Sequence, residues 1–172
     1  MGCPPGAKCL TSVDGTDCRI REPVPFNKKW YSHKFNGPAV RYEVTVSTYT
    51  GYIVWINGPF AAGEWPDARI IKDSFIGHMC QDELFIADSG YAGIDFCVTQ
   101  GPWGHVVNKQ IANIRARHET INRKFKEYKA IGDRSRHSPQ QHGLLIRTVA
   151  NLVQLRLQTS EANWSVEIKV PF

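Results

Sequence analysis

A mixed α/β domain around one sheet is the fold class that this 172-residue sequence predicts, and three stretches carry the prediction. Arg41–Thr48 alternates and is rich in Val, Thr and Tyr, Thr50-Gly51 is a short turn, and Tyr52–Asn57 is the returning strand, the pattern of a β-hairpin. Leu84–Ala87 is an unbroken apolar run, which suits a strand covered on both faces, although a buried helical segment gives the same pattern. From Lys109 onward, Ile111, Ile114, His118, Ile121, Phe125 and Tyr128 recur at steps of three and four. That spacing draws one apolar stripe along a helix.

Taken in order, residues 1–8 read as a disordered lead, residues 9–160 as one domain and residues 161–172 as a C-terminal tail. Cys9–Ile20 is a strand interrupted at Asp14-Gly15, because a glycine inside a strand usually marks a bulge or a close backbone approach. Arg21–Pro38 is a proline-containing loop, and the hairpin follows it. Glu64-Trp-Pro-Asp67 starts a helix, with proline in the first turn and acids near the positive end of the helix dipole. That helix is expected to run to about Met79 and to bury Ile70, Ile71, Phe75 and Ile76. The apolar strand ends on Asp88, where Gly90 and Gly93 allow a sharp turn. No pattern marks the stretch around Trp103. After the striped helix comes a polar loop, Gly132–Gly143, and a last helix near Leu144–Thr159.

Composition narrows the function classes. The apolar fraction of 42% and charged fraction of 22% are those of an ordinary globular domain. No apolar run approaches the length of a membrane span. The five cysteines contain no Cys-x-x-Cys pair, which argues against a disulfide framework or a zinc ribbon and for a reducing compartment. His137 and His142 have no cysteine at zinc spacing. Phosphate-loop, nucleophile-elbow and dinucleotide motifs are all missing. The net charge of +5 is unevenly spread: Asn108–Arg147 holds ten Lys or Arg against three Asp or Glu. Such a segment is either a polyanion-binding surface or a solvated helical face.

Three acids could converge. Asp14 lies in the first strand, Asp88 ends a later one, and Glu119 borders the apolar stripe on a face shared with Arg115, Asn122 and Lys126. Each has a plainer reading. Asp14-Gly15 and Asp88-Ser-Gly90 are turn sequences, and Glu119 can pair with Arg115 or Arg123 four residues away. Asp17 is a rival to Asp14. Residues three apart on a strand face opposite sides, so only one of them can serve the site. Three converging carboxylates suit divalent magnesium or manganese, which take oxygen ligands and engage phosphate oxygens.

Five motifs then occur in sequence: Val13-Asp-Gly-Thr-Asp17, Ser32-His-Lys-Phe-Asn-Gly37, Gly63-Glu-Trp-Pro-Asp-Ala-Arg69, Ala87-Asp-Ser-Gly-Tyr91 and Arg117-His-Glu-Thr-Ile-Asn-Arg-Lys-Phe-Lys126. Together they resemble the DDE endonuclease domain of Harbinger-type transposases. The resemblance implies an α/β, ribonuclease H-like mixed sheet with flanking helices. It implies Asp14, Asp88 and Glu119 as catalytic residues and metal ligands, and Mg2+ or Mn2+ as the cofactor. The implied chemistry is two-metal phosphodiester hydrolysis that leaves a 3′-hydroxyl, with strand transfer in a complete transposase. Asp67 recurs in the family motif and is read as a helix-start or supporting residue. DNA is the implied partner, with Lys34, Arg115, Arg123, Lys124 and Lys126 as candidate backbone contacts. Full-length relatives carry an N-terminal helix-turn-helix that has no counterpart ahead of the first strand here, so the expectation is either a fragment of a decayed element or a chain whose DNA recognition lies in a separate polypeptide. A homodimer is compatible with this reading, no membrane partner is expected, and the expected location is the nucleus. The rival expectation is a non-catalytic, domesticated DNA-binding or protein-interaction module of the same fold.

Overall fold

The computed structural model describes residues 8–80, 82–101 and 103–159. The tail at 161–172 and the lead through residue 7 lie outside the described residues. Six strands form one mixed sheet: β1 Lys8–Arg19, β2 Tyr31–Ser32, β3 Gly37–Ser47, β4 Ile53–Ala61, β5 Glu83–Ala87 and β6 Cys97–Thr99. The helices are α1 Asp67–Asp73, α2 His105–Glu127, α3 Lys129–Gly132 and α4 Pro139–Thr159. β1 is central. It pairs antiparallel with β3 and parallel with β5; β6 extends the sheet parallel beyond β5. The outer edge of β3 is shared by β2 at its start and by β4, both antiparallel.

Side-chain alternation explains the layers. In β5, Leu84 and Ile86 face α2, where they pack with Ile111, Ile114 and Val98. Phe85 and Ala87 face the other way and pack with Val13, Ile71, Phe75 and Tyr91 on the α1 side. The expectation of a strand covered on both faces is met, because every residue of β5 is buried. Further along α2, Ile121 and Phe125 join Ile146, Val149 and Val153 of α4 over Val40, Tyr42 and Val44. Each such side chain contributes about 1.5–3 kcal/mol by leaving water. Tyr42 Oη also meets His142 Nδ1 at 2.7 Å, which ties the first turn of α4 to the sheet.

Three expectations are corrected. β1 is not interrupted at Asp14-Gly15: its pairing with β3 runs without a break from Thr11 to Arg19, and the irregularity lies between Cys9 and Thr11 on the β5 side. The first helix stops at Asp73 rather than near Met79 and continues only as a 3-10 turn, Phe75–His78. Ser74 breaks it, with its hydroxyl donating to the Ile70 carbonyl at 2.8 Å and to Glu43 Oε1 at 3.0 Å. The last helix begins at Pro139, five residues before Leu144, so the polar loop is shorter than expected.

Candidate active site

The site is built by two alternating strands and one helix. On β1, Ser12 and Asp14 face α2, whereas Val13, Gly15 and Asp17 face α1. Ser12 Oγ lies 3.0 Å from His118 Nδ1, and Asn122 Nδ2 donates to Asp14 Oδ2 at 3.0 Å. His118 and Asn122 are one helical turn apart, and Ser12 and Asp14 are neighbours on one strand face. The two contacts therefore fix both the height and the rotation of α2 over β1. Glu119, next to His118, is thereby held at the rim.

Ser12 is opposite Ile86 in the parallel pairing with β5, and continuing that register by two residues brings Asp88 beside Asp14. Asp88 closes the strand and accepts a hydrogen bond from the Gly90 backbone at 2.7 Å. A Cβ on Gly90 would crowd Asp88 Oδ1 at 2.9 Å, so the glycine leaves room for that carboxylate. Asp14, Asp88 and Glu119 thus line a single cleft, together with Ser12, Val13, Arg115 and His118. Glu119 is exposed, and among the described residues no ion pair joins it to Arg115 or Arg123.

A further acid crowds the same strand from the opposite face. Gly15 has no side chain, and a Cβ built there would overlap the Asp67 carboxylate, which opens α1. Burial pushes the Asp14 carboxyl up to about 6, and the negative charges of Asp67 and Asp88 add to the shift; Lys34 and the Gly15 backbone oppose it. Asp67 is also raised, first by burial, with Asp17 and Asp88 adding and Arg41 pulling it back. Asp17 is no rival for the cleft. It is buried on the α1 face, where Arg41 Nε lies 2.6 Å from its Oδ1 and Ser32 Oγ donates to its Oδ2 at 2.6 Å. Arg41 also reaches Asp67 Oδ1 at 3.4 Å and the Trp65 carbonyl at 3.2 Å.

The candidate backbone contacts fall in two groups. Arg115 lines the cleft. Lys34, in the turn between β2 and β3, is exposed and close enough to lower the pKa values of both Asp14 and Asp67. Arg123 and Lys126 are exposed on α2, and Lys124 is half-buried. Two buried side chains that open the Arg117–Lys126 motif anchor α2 to the strands beneath it. Arg117 is 1% exposed within the apolar stripe and donates to the Thr48 and Tyr49 carbonyls. His118, on the stripe as expected, is held neutral: burial drops its pKa to about 3.

Among the described residues, no group of three or more His, Cys, Asp or Glu is drawn together tightly enough to hold a metal ion. The donor chemistry nonetheless fits a hard divalent cation. The cleft offers carboxylate oxygens, Asn122 Oδ1 is buried without a hydrogen-bond partner, and Asp14 bears repulsion that a cation would offset. Among the described helices none is long and apolar enough to cross a membrane.

No curated protein and no solved structure matches the chain. The sequence profile of the DDE superfamily endonucleases matches residues 13–154, a span that includes Asp14, Asp88 and Glu119. That match covers most of the chain, and the chain belongs to the DDE superfamily endonucleases.

Proposed function

We propose that this chain is a divalent-metal-dependent DNA endonuclease of the Harbinger transposase type, with Asp14, Asp88 and Glu119 as its catalytic acids. The observation that carries the reading is the single cleft that these three acids line. Their placement on the first strand, at the end of a later strand and on a following helix is the distribution expected of a ribonuclease H-like nuclease, and it supports that finer fold assignment.

Asp14, Asp88 and Glu119 would hold magnesium or manganese, and the bound metal would supply activation of water and stabilisation of the leaving oxygen. The remaining work falls to side chains. Asn122 orients the Asp14 carboxylate through its 3.0 Å hydrogen bond. His118, neutral and bonded to Ser12, keeps α2 in register with β1 without adding charge. Arg115 and Lys34 place positive charge beside the acids, where a phosphodiester would otherwise be repelled.

A second reading, a non-catalytic DNA-binding or protein-interaction module, is favoured by one observation: the described acids form no compact metal-holding group. Nicking of supercoiled plasmid with Mg2+ or Mn2+, wild type beside Asp88→Ala and Glu119→Ala, separates the two. Metal-dependent nicking lost in both variants supports the nuclease. A folded wild type that binds DNA and never nicks it supports the module.

A further inference from the structure

An isolated parallel bridge joins Ile20, just past β1, to Ser135 in the loop before α4. Its hydrogen bonds run from Ser135 N to the Arg19 carbonyl at 2.9 Å and from Arg21 N to the Ser135 carbonyl at 2.7 Å. Ile20 and Ser135 are both buried, so extended-chain alternation turns their neighbours outward. Those neighbours are Arg19, Arg21, Arg134 and Arg136, and all four are exposed. More than a hundred residues of sequence separate the two pairs, and the bridge sets them side by side.

Phe35 adds to this plate. Its ring lies 4.7 Å from the Arg19 guanidinium and 5.9 Å from the Lys126 ammonium, so one aromatic side chain gathers two cations. Among the described residues no ion pair neutralises any of these five cations. Glu22 and Asp133, both exposed, are the acids adjacent in sequence, and they leave the plate strongly positive. Like charges held together on a surface repel one another, and an anion laid across them relieves that repulsion.

We infer that Arg19, Arg21, Lys126, Arg134 and Arg136, with Phe35 as a pillar, form a docking plate for the phosphate backbone of duplex DNA flanking the cleft. The inference rests on the nuclease reading for the identity of the polyanion. The turn carrying Lys34 and Phe35 connects the two places: Lys34 acts on Asp14 and Asp67, and the next side chain acts on Arg19 and Lys126. Helix rise puts Lys126 about 10 Å beyond Glu119, and strand rise puts Arg19 about 16 Å beyond Asp14. At about 3.4 Å of axis per nucleotide, the plate meets phosphates roughly three to five base pairs to one side of the acids.

The test is the salt dependence of binding to a labelled duplex, measured by fluorescence anisotropy in EDTA so that no cleavage occurs. Arg134→Gln/Arg136→Gln and Arg19→Gln/Arg21→Gln are each compared with wild type and with the matching double Lys variants. Each Gln pair is expected to flatten the slope of log K against log salt by about 1.8, the value for two lost phosphate contacts, while the Lys pairs keep it. Unchanged slopes in both Gln pairs, with thermal midpoints intact, overturn the plate. So does a slope change that the Lys pairs reproduce, since that marks damage to the fold rather than loss of charge. Nicking is scored separately with wild type: a protein that never nicks but shows the expected slopes loses the nuclease reading and keeps the plate.

Discussion

Asn122 Nδ2 donates to Asp14 Oδ2 at 3.0 Å, and this is the one direct hydrogen bond described between α2 and a candidate catalytic acid. A carboxylate held by an amide loses rotational freedom and presents its other oxygen in a fixed direction. Supporting contacts of this kind typically alter metal affinity or activity tenfold to a hundredfold when removed. Asn122→Ala is therefore expected to lower the nicking rate by about tenfold to a hundredfold at limiting Mn2+, with far-ultraviolet circular dichroism unchanged. A rate equal to wild type would remove Asn122 from the site.

Gly15 and Asp67 form a pair whose coupling can be measured. A methyl at Gly15 would overlap the Asp67 carboxylate, so Gly15→Ala is expected to cost about 1–3 kcal/mol in a denaturant titration. Trimming the opposing side chain removes the clash. The double variant Gly15→Ala/Asp67→Ala should therefore be more stable than the sum of the two single changes predicts. Additive effects would show that the close approach does not decide the glycine.

This pair also shows where the sequence is opaque. Gly15 reads as a break in the first strand, yet the strand continues because a carboxylate from another element occupies the space of its missing side chain. The β5 strand and the α2 stripe are legible because burial on both faces, or along one, leaves a local pattern. Asp88 is legible as the residue at which an apolar run meets a glycine turn. The shortened first helix depends on Ser74 turning back to Ile70 and across to Glu43, a choice made by tertiary contact. β6 is three residues long and has no pattern; its place comes from β5. The arginine plate exists only through the Ile20–Ser135 bridge, a contact that no local reading supplies.

Acid titration should expose opposing buried groups. Burial lowers His118 to about 3 and His142 to about 4, so between about pH 4 and 6.5 the unfolded chain binds protons that the folded chain refuses. That contribution is complete above about pH 6.5 and is lost as pH falls. Glu43 works the other way: burial raises it to about 7, so the folded chain holds a proton that the unfolded chain releases above about 4.5. Its contribution is complete below about pH 4.5 and is lost as pH rises toward 7. Glu43→Gln removes only the second effect. Stability measured in EDTA between pH 4.5 and 6.5 should then rise with pH more steeply than in wild type, by up to about 1.4 kcal/mol per pH unit. Parallel profiles would mean that Glu43 ionises normally in the folded protein.

The acids in the cleft predict a metal effect that needs no catalysis. Burial and the charges of Asp67 and Asp88 disfavour the ionised form of Asp14, so the metal-free protein carries an electrostatic cost there. A divalent ion that binds only the folded chain stabilises it by about 2.7 kcal/mol when present at a hundred times its dissociation constant. Mn2+ is expected to raise the thermal midpoint of wild type and to leave Asp14→Asn and Asp88→Asn unmoved. In EDTA the same two variants should melt at or above the wild-type temperature, because each removes one member of a repelling pair without changing side-chain size. A Mn2+-induced rise that survives in both variants would place the bound ion elsewhere. A wild type that shows no rise, yet has the two variants more stable in EDTA, would leave the acids close together without a role as metal ligands.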